Sequence, residues 1–168
     1  DTLRGFLKDV LLDDAGKLCF FPVQFSAYWL AYDAAQYEPP VPATWRAWLE
    51  QVIALAAADE QGELALFDAD YTPDYLRETL IEGLLQQYGC ACELAGTDAA
   101  YEELTECLQL VDNLCETIAS SNFSDDAPLF DLRYPLVPAA RSSAFTPMPL
   151  AFIAGEKPVI TPSVTVYL

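Results

Sequence analysis

Apolar residues recur at a helical spacing through most of the first 120 positions, and that pattern stops after Asn122. The opening segment TLRGFLKDVLLDDAG puts Leu3, Phe6, Leu7, Val10 and Leu11 on one face, which predicts a first helix. Thr2 can cap its start, and Gly16 follows its end. In KLCFFPVQFSAYWLAYDAAQYEPP, Pro22 suits a first helical turn because its missing N–H has no partner to lose there. The expectation is a second helix over 22–36, stopped by Pro39 and Pro40. Seven aromatics lie from Phe20 to Tyr37, so this helix is expected at the centre of the core; an aromatic ligand pocket is the sharper alternative.

Trp45, Trp48, Leu49, Val52, Leu55 and Ala56 predict a third helix over 43–58. The fourth has the clearest ends. Thr72 is a good N-cap, Pro73 a good first residue, and Asp74 lies where the helix dipole favours an anion. Leu76, Leu80, Ile81, Leu84, Leu85 and Tyr88 line its apolar face, and Gly89 is placed for a left-handed C-terminal cap. A fifth helix is expected over 98–120. Its Tyr101, Leu104, Leu108, Val111, Cys115 and Ile118 step by 3, 4, 3, 4 and 3, a heptad-like seam.

Seven of the twelve prolines fall between Pro128 and Pro162, which forbids a long helix there. The end of the chain, LAFIAGEKPVITPSVTVYL, predicts two short strands, 150–154 and 159–166, around a GEK turn. The resulting fold class is mainly α. It comprises about five helices packed bundle-like in an acidic domain over 1–122, then a C-terminal proline-rich arm over 123–168 carrying a short β-hairpin.

Charge sharpens this picture. The 168 residues hold 26 acids and 8 bases, net −18, with no histidine. Residues 1–131 carry 25 acids and 5 bases; residues 132–168 carry 1 acid and 3 bases. Between Arg77 and Arg133 lie 55 residues with 12 acids and no base. Such a field disfavours direct contact with nucleic acid or an anionic membrane, and favours basic protein surfaces, cations or simple solvation. No run of about 18 apolar residues suggests a membrane span. The N-terminus lacks an initiator Met and an intact signal peptide, so a trimmed or processed chain is expected.

Four of the five cysteines fall in 88–121, which raises the question of a metal or redox site. Cys115 belongs to the seam and Cys107 lies beside it. Eight residues on one helix separate them by about 12 Å. A disulfide needs Cα atoms within about 7 Å, and two thiolates on one zinc lie within roughly 4.6 Å. The pair therefore shares neither bond nor metal. Cys90 and Cys92, in an expected CAC loop, match no common zinc spacing with Cys19 or the helical cysteines, although a disulfide to Cys107 or Cys115 remains an alternative. Buried free thiols are the leading expectation, and with the odd cysteine count they fit a reducing cytoplasm. No metal and no cofactor are expected. DADYTPD, residues 68–74, resembles a calcium loop but has Pro73 where glycine is required and Thr79 where the bidentate glutamate is required. The chain has no histidine base, no GxGxxG and no GxxxxGK[ST], so an enzyme is not expected.

On the fifth helix, Asp98, Glu102 and Glu106 stand at i, i+4 and i+8, and Asp112 and Glu116 continue on a nearby azimuth. No base on that helix offsets them. The leading expectation is a non-enzymatic protein-binding module of inhibitor, adaptor, immunity or chaperone type. It would meet a protein with a basic surface through these five acids, through the arm residues Phe152, Ile153, Val164, Val166 and Tyr167, or through both. A carboxylate stripe also suits a DNA-mimic inhibitor of a nucleic-acid-binding protein. An assembly subunit that forms a homo-oligomer through its arm is a further alternative, and a small enzyme is the least favoured.

Overall fold

In a computed structural model of the chain, the described residues are 15, 24–26, 28–37, 40–95, 98–135, 145–148, 150–155 and 163–165. Thr44 starts the first described helix, α1 (Trp45–Ala58), by accepting from the Ala47 N–H at 3.2 Å on its side-chain oxygen. Trp45, Trp48, Leu49, Val52 and Ala56 are its buried face, as the spacing requires; Leu55 is half-buried. Helix α2 (Pro73–Ala95) begins as expected, with Thr72 Oγ1 accepting from the Tyr75 N–H at 3.2 Å. Leu76, Leu80 and Leu84 are buried at successive turns. The chain then reverses into α3 (Asp98–Thr117), followed by a short 3-10 turn, Ser120–Asn122. Helix α3 packs against both α1 and α2 and is the central rod of the helical layer.

Two helical expectations need correction. The expected second helix is two strands, β1 (Gln24–Ser26) and β2 (Tyr28–Asp33). Its aromatic and alternating residues suit a pleated surface as well as a helix, and its pairing partners lie about 100 to 140 residues downstream, where no local pattern reveals them. The expected stop at Gly89 is not used: α2 continues through Gly89, Cys90 and Cys92 to Ala95, so there is no CAC loop. The following residues, CACELA, contain no proline, and one interior glycine costs only about 1 kcal/mol. The expected first helix lies outside the described residues.

Strand β2 is the middle of a three-stranded antiparallel sheet, flanked by β3 (Phe130–Pro135) and β4 (Phe145–Pro147). Trp29 pairs with Tyr134 and Ala31 with Asp131, so Leu132 and Arg133 together oppose Leu30, a bulge in β3. Strand β5 (Ser163–Thr165) pairs antiparallel with β1, Val164 facing Phe25. The predicted hairpin between 150–154 and 159–166 is therefore corrected: the C-terminal strand closes on β1. Residues 150–153 instead lie beside the start of α1. The Ala151 N–H donates to the Ala43 carbonyl at 2.8 Å, and the Trp45 N–H donates to the Ala151 carbonyl at 3.2 Å. The prolines at the ends of β3 and β4 sit where a missing N–H is tolerated.

The core lies between the helical layer and the sheet. Trp48, Phe67 and Phe130 are fully enclosed there, with Trp48 and Phe130 edge to face at 5.5 Å and Tyr37 edge-on to Phe130 at 5.4 Å.

Candidate partner-binding face

The buried stripe of α3 is Ala100, Leu104, Cys107, Val111 and Leu114, continued by Ile118 just past its end. It keeps Leu104, Val111 and Ile118 of the expected seam, but Ala100, Cys107 and Leu114 take the places of Tyr101, Leu108 and Cys115. Tyr101 is 63% exposed, and Leu108 and Cys115 are half-buried. The shift follows from α3 having two neighbours, α1 and α2, so the axis of burial bisects them instead of following one seam. Cys107 consequently sits inside, and Cys115 sits at the flank with its Sγ 3.7 Å from the Pro73 carbonyl oxygen.

Opposite that stripe, Asp98, Glu102, Glu106, Asp112 and Glu116 are all exposed. At about 100° per residue they fill a wedge of roughly 120°, and they run for about 27 Å along the axis. The structure thus brings the five predicted acids to one side. Although α3 itself carries no base, bases on its two neighbouring helices offset two of the five. Arg46, on α1, reaches across to form ion pairs with Glu106 and, at 3.8 Å, with Glu103, while its Nε donates to Glu50 at 3.2 Å. Arg77, on α2, pairs with Asp112. These two cations clasp α3 from opposite flanks. Asp98, Glu102 and Glu116 have no ion pair among the described residues.

The electrostatics follow from this arrangement. Burial pushes the Glu103 carboxyl above its ordinary pKa, Arg46 opposes that, and Glu106 and Glu50 add to it. Burial, reinforced chiefly by Glu103, pushes the Cys107 thiol up to about 12. Burial also raises Cys115, which Arg77 partly offsets. Cys107 and Cys115 are both free thiols, and neither is the thiolate that nucleophilic or metal chemistry needs at neutral pH. The side chains of Cys90 and Cys92 are outside the described residues, as is Cys19. The calcium-like stretch is a polar turn: Asp68 Oδ1 accepts from the Asp70 N–H at 2.9 Å, and Thr72 then caps α2.

The arm residues fare differently. Phe152 is 5% exposed, with its ring centroid 6.1 Å from that of Tyr88, so it belongs to the core and not to a projecting contact surface. Ile153 is half-buried against the same cluster. Val164 is placed in β5, and Val166 and Tyr167 lie outside the described residues.

Sequence reasoning missed Arg46, Glu50 and Glu103 as a unit. The signal was there in part: Arg46 and Glu50 stand at i, i+4 on a helix with no other base. It also placed Leu85 on the inner face of its helix, whereas Leu85 is half-exposed. No helix among the described residues is long and apolar enough to cross a membrane. Comparison with family models, with curated proteins and with solved structures finds no match to this chain.

Proposed function

We propose that this chain is a non-enzymatic protein-binding module that meets a basic protein surface with the outward side of α3. The observation that supports this most is the alignment of Asp98, Glu102, Glu106, Asp112 and Glu116 on the side of a central helix opposite its buried stripe. Arg46 and Arg77 hold that helix in place while leaving Asp98, Glu102 and Glu116 for a partner. A helix gripped on both flanks presents its carboxylates on a rigid frame, which lowers the entropy lost on docking. Inhibitor, adaptor, immunity and chaperone roles share this chemistry. The two internal ion pairs interrupt the charge stripe, which favours a protein partner over a continuous imitation of DNA phosphates. The burial of Phe152 favours the α3 face over the arm as the contact. The raised carboxyl of Glu103 is engaged by Arg46, an arrangement that supports a structural role over acid–base catalysis. Protonated thiols at Cys107 and Cys115 suit a reducing, cytoplasmic setting.

Pull-down from the native lysate at low and high salt tests the reading, with wild-type chain beside the double variant Glu102→Lys, Glu116→Lys. Salt-sensitive capture that the double variant loses is expected. Capture that survives both reversals overturns the proposal.

A further inference from the structure

Tyr101 is the most exposed large apolar side chain among the described residues, at 63%. It stands on α3 three residues after Asp98 and one before Glu102, and all three are exposed. Asp98 neighbours Tyr101 at i, i+3 and Glu102 at i, i+4, so one phenol ring and two carboxylates form a triangle near the start of α3. The ring is braced from one side: its centroid lies 6.4 Å from that of Tyr88 on α2, with 62° between the planes. A ring supported in this way has less freedom to lose when a partner covers it. The same triangle is where the acidic side keeps its charge. Three i, i+4 pairs occur among the five outward acids: Asp98 with Glu102, Glu102 with Glu106, and Asp112 with Glu116. The second contains Glu106, matched by Arg46, and the third contains Asp112, matched by Arg77. Only in the first is neither carboxylate ion-paired among the described residues.

We infer that Asp98, Tyr101 and Glu102 are the anchor point of the acidic face, and that they take an arginine of the partner protein in preference to a lysine. A guanidinium is planar and weakly hydrated. It can lie on the Tyr101 ring and still donate N–H groups to the carboxylates at its edge. An ammonium is compact and strongly hydrated, and gains less from the ring. An exposed aromatic beside unmatched charge is also the residue type that carries most binding energy at protein interfaces. Charge complementarity selects the occupant. A second copy of this chain would bring net −18 against net −18, with its Arg46 and Arg77 already engaged. The inference rests on the reading of the chain as a binder of basic protein surfaces and deepens it by naming the side chain recognised. That reading needs only positive charge, whereas this one needs arginine and the ring, so the two fail separately.

The test is an NMR titration of the full chain with two alanine-based helical peptides of equal charge, one carrying arginines and the other lysines at the same positions. The arginine peptide is expected to bind about two- to fivefold more tightly, with cross-peaks between its Cδ protons and the Tyr101 ring. Tyr101→Leu should remove that preference and Tyr101→Phe should keep it, because the ring face and not the hydroxyl is used. The double variant Asp98→Asn, Glu102→Gln should weaken both peptides. All these substitutions are at exposed positions, and unchanged denaturation midpoints verify that the fold is kept. Equal affinity for the two peptides overturns the inference and leaves the acidic-face reading standing, as does an arginine preference that survives Tyr101→Leu or is lost in Tyr101→Phe. Full affinity in the double variant overturns it too. Binding of neither peptide also overturns it, and capture from lysate then decides the wider reading on its own. Concentration-dependent self-association abolished by Tyr101→Leu makes a second copy the occupant and overturns it. Tighter peptide binding by the full chain carrying Arg4→Gln, Arg133→Gln and Arg141→Gln assigns the anchor to an arginine of the chain itself and likewise overturns it.

Discussion

Asn122 and Asp59, 63 positions apart in sequence, are joined side chain to side chain: the Asn122 amide donates to Asp59 Oδ2 at 2.9 Å. Asn122 is 2% exposed, and every side-chain polar group it has is used. Its amide also donates to the Leu64 carbonyl at 2.9 Å, and its Oδ1 accepts from the Ala119 N–H at 2.9 Å. Asp59 in turn accepts from the N–H groups of Glu63 and Leu64, at 2.9 and 3.0 Å. The end of α1, the loop after it and the turn after α3 therefore meet in one satisfied polar knot.

Removing the centre of that knot should be costly. Asn122→Ala leaves the Leu64 carbonyl and the Ala119 N–H without these partners in a partly buried place, for a loss of about 1–2 kcal/mol by urea denaturation. Asn122→Asp should be worse than alanine at neutral pH, because it sets a second carboxylate against Asp59, and should recover in acid. The Leu64 N–H, with those of Glu63 and Gly62 and the Asn122 amide, holds the Asp59 carboxyl below its usual pKa against an opposing effect of desolvation. A depressed carboxyl stabilises the fold above its unfolded pKa, and that contribution disappears as pH falls through the folded value. The stability gap between wild type and Asp59→Asn should therefore close as pH drops below about 4.

Two glycines should respond to alanine with opposite signs. Gly83 is inside α2 with an ordinary helical φ, and an added Cβ would meet the Trp45 ring at 3.4 Å, a normal contact. Gly83→Ala should raise stability by up to about 1 kcal/mol through helix propensity. Gly62 has φ +66°, and its added Cβ would lie 2.4 Å from Ser121 Oγ. Gly62→Ala should cost about 1–2 kcal/mol, because a left-handed backbone disfavours a Cβ. Thermal melts of both variants check the pair; a shared sign contradicts it.

The contrast between α1 and β2 explains what was legible in the sequence. Trp45, Trp48, Leu49 and Val52 announce a helix because every interaction that defines its face lies within seven residues. Tyr28–Asp33 carries equally apolar residues, but Tyr32 is in a strand because Phe130 and Thr146 lie opposite it. Those partners are about a hundred residues away, and no local period contains them. The same limit applied at the candidate face. The five acids of α3 could be placed on one side from spacing alone. That Arg46 and Arg77 would neutralise Glu106 and Asp112 depended on which helices flank α3, a tertiary fact. Likewise, Cys107 and Cys115 exchanged expected places because α3 has two neighbours and a seam describes one.

Arg46→Gln should weaken the fold most at neutral pH. It removes the cation shared by Glu50, Glu103 and Glu106, leaving three carboxylates around a half-buried site. Glu103 already has a raised pKa through burial, so without Arg46 it should bind a proton more readily still. A raised carboxyl favours the folded state increasingly as pH falls through its folded value. The destabilisation of Arg46→Gln should therefore be clear at pH 7 in a denaturant midpoint and shrink at about pH 4.5. High salt should also shrink it, because Arg46, Glu50 and Glu106 are about half exposed. A midpoint difference independent of both pH and salt counts against the ion-pair account.

Cys107 and Cys115 should differ in their response to thiol reagents. Cys107 is fully enclosed, and its thiol is raised to about 12 by burial and by Glu103 nearby. Alkylation needs thiolate and access, and native Cys107 offers neither near neutral pH. Cys115 is half-buried at the α2–α3 contact, its thiol also raised by burial, so it should react slowly but ahead of Cys107. Mass spectrometry with peptide mapping after native and denatured N-ethylmaleimide treatment distinguishes the two sites. The same shift carries a stability consequence at alkaline pH. A thiol raised on folding contributes stability that is full below its unfolded pKa and is lost as pH rises through the folded value. Between about pH 9 and 12 the wild type should therefore lose stability more steeply than Cys107→Ala, which lacks the titrating group. At neutral pH that variant should itself be weaker by about 1–2 kcal/mol through the void left behind. Rapid modification of Cys107 in the native chain, or parallel alkaline slopes, would show that α3 does not bury this position against α1 and α2.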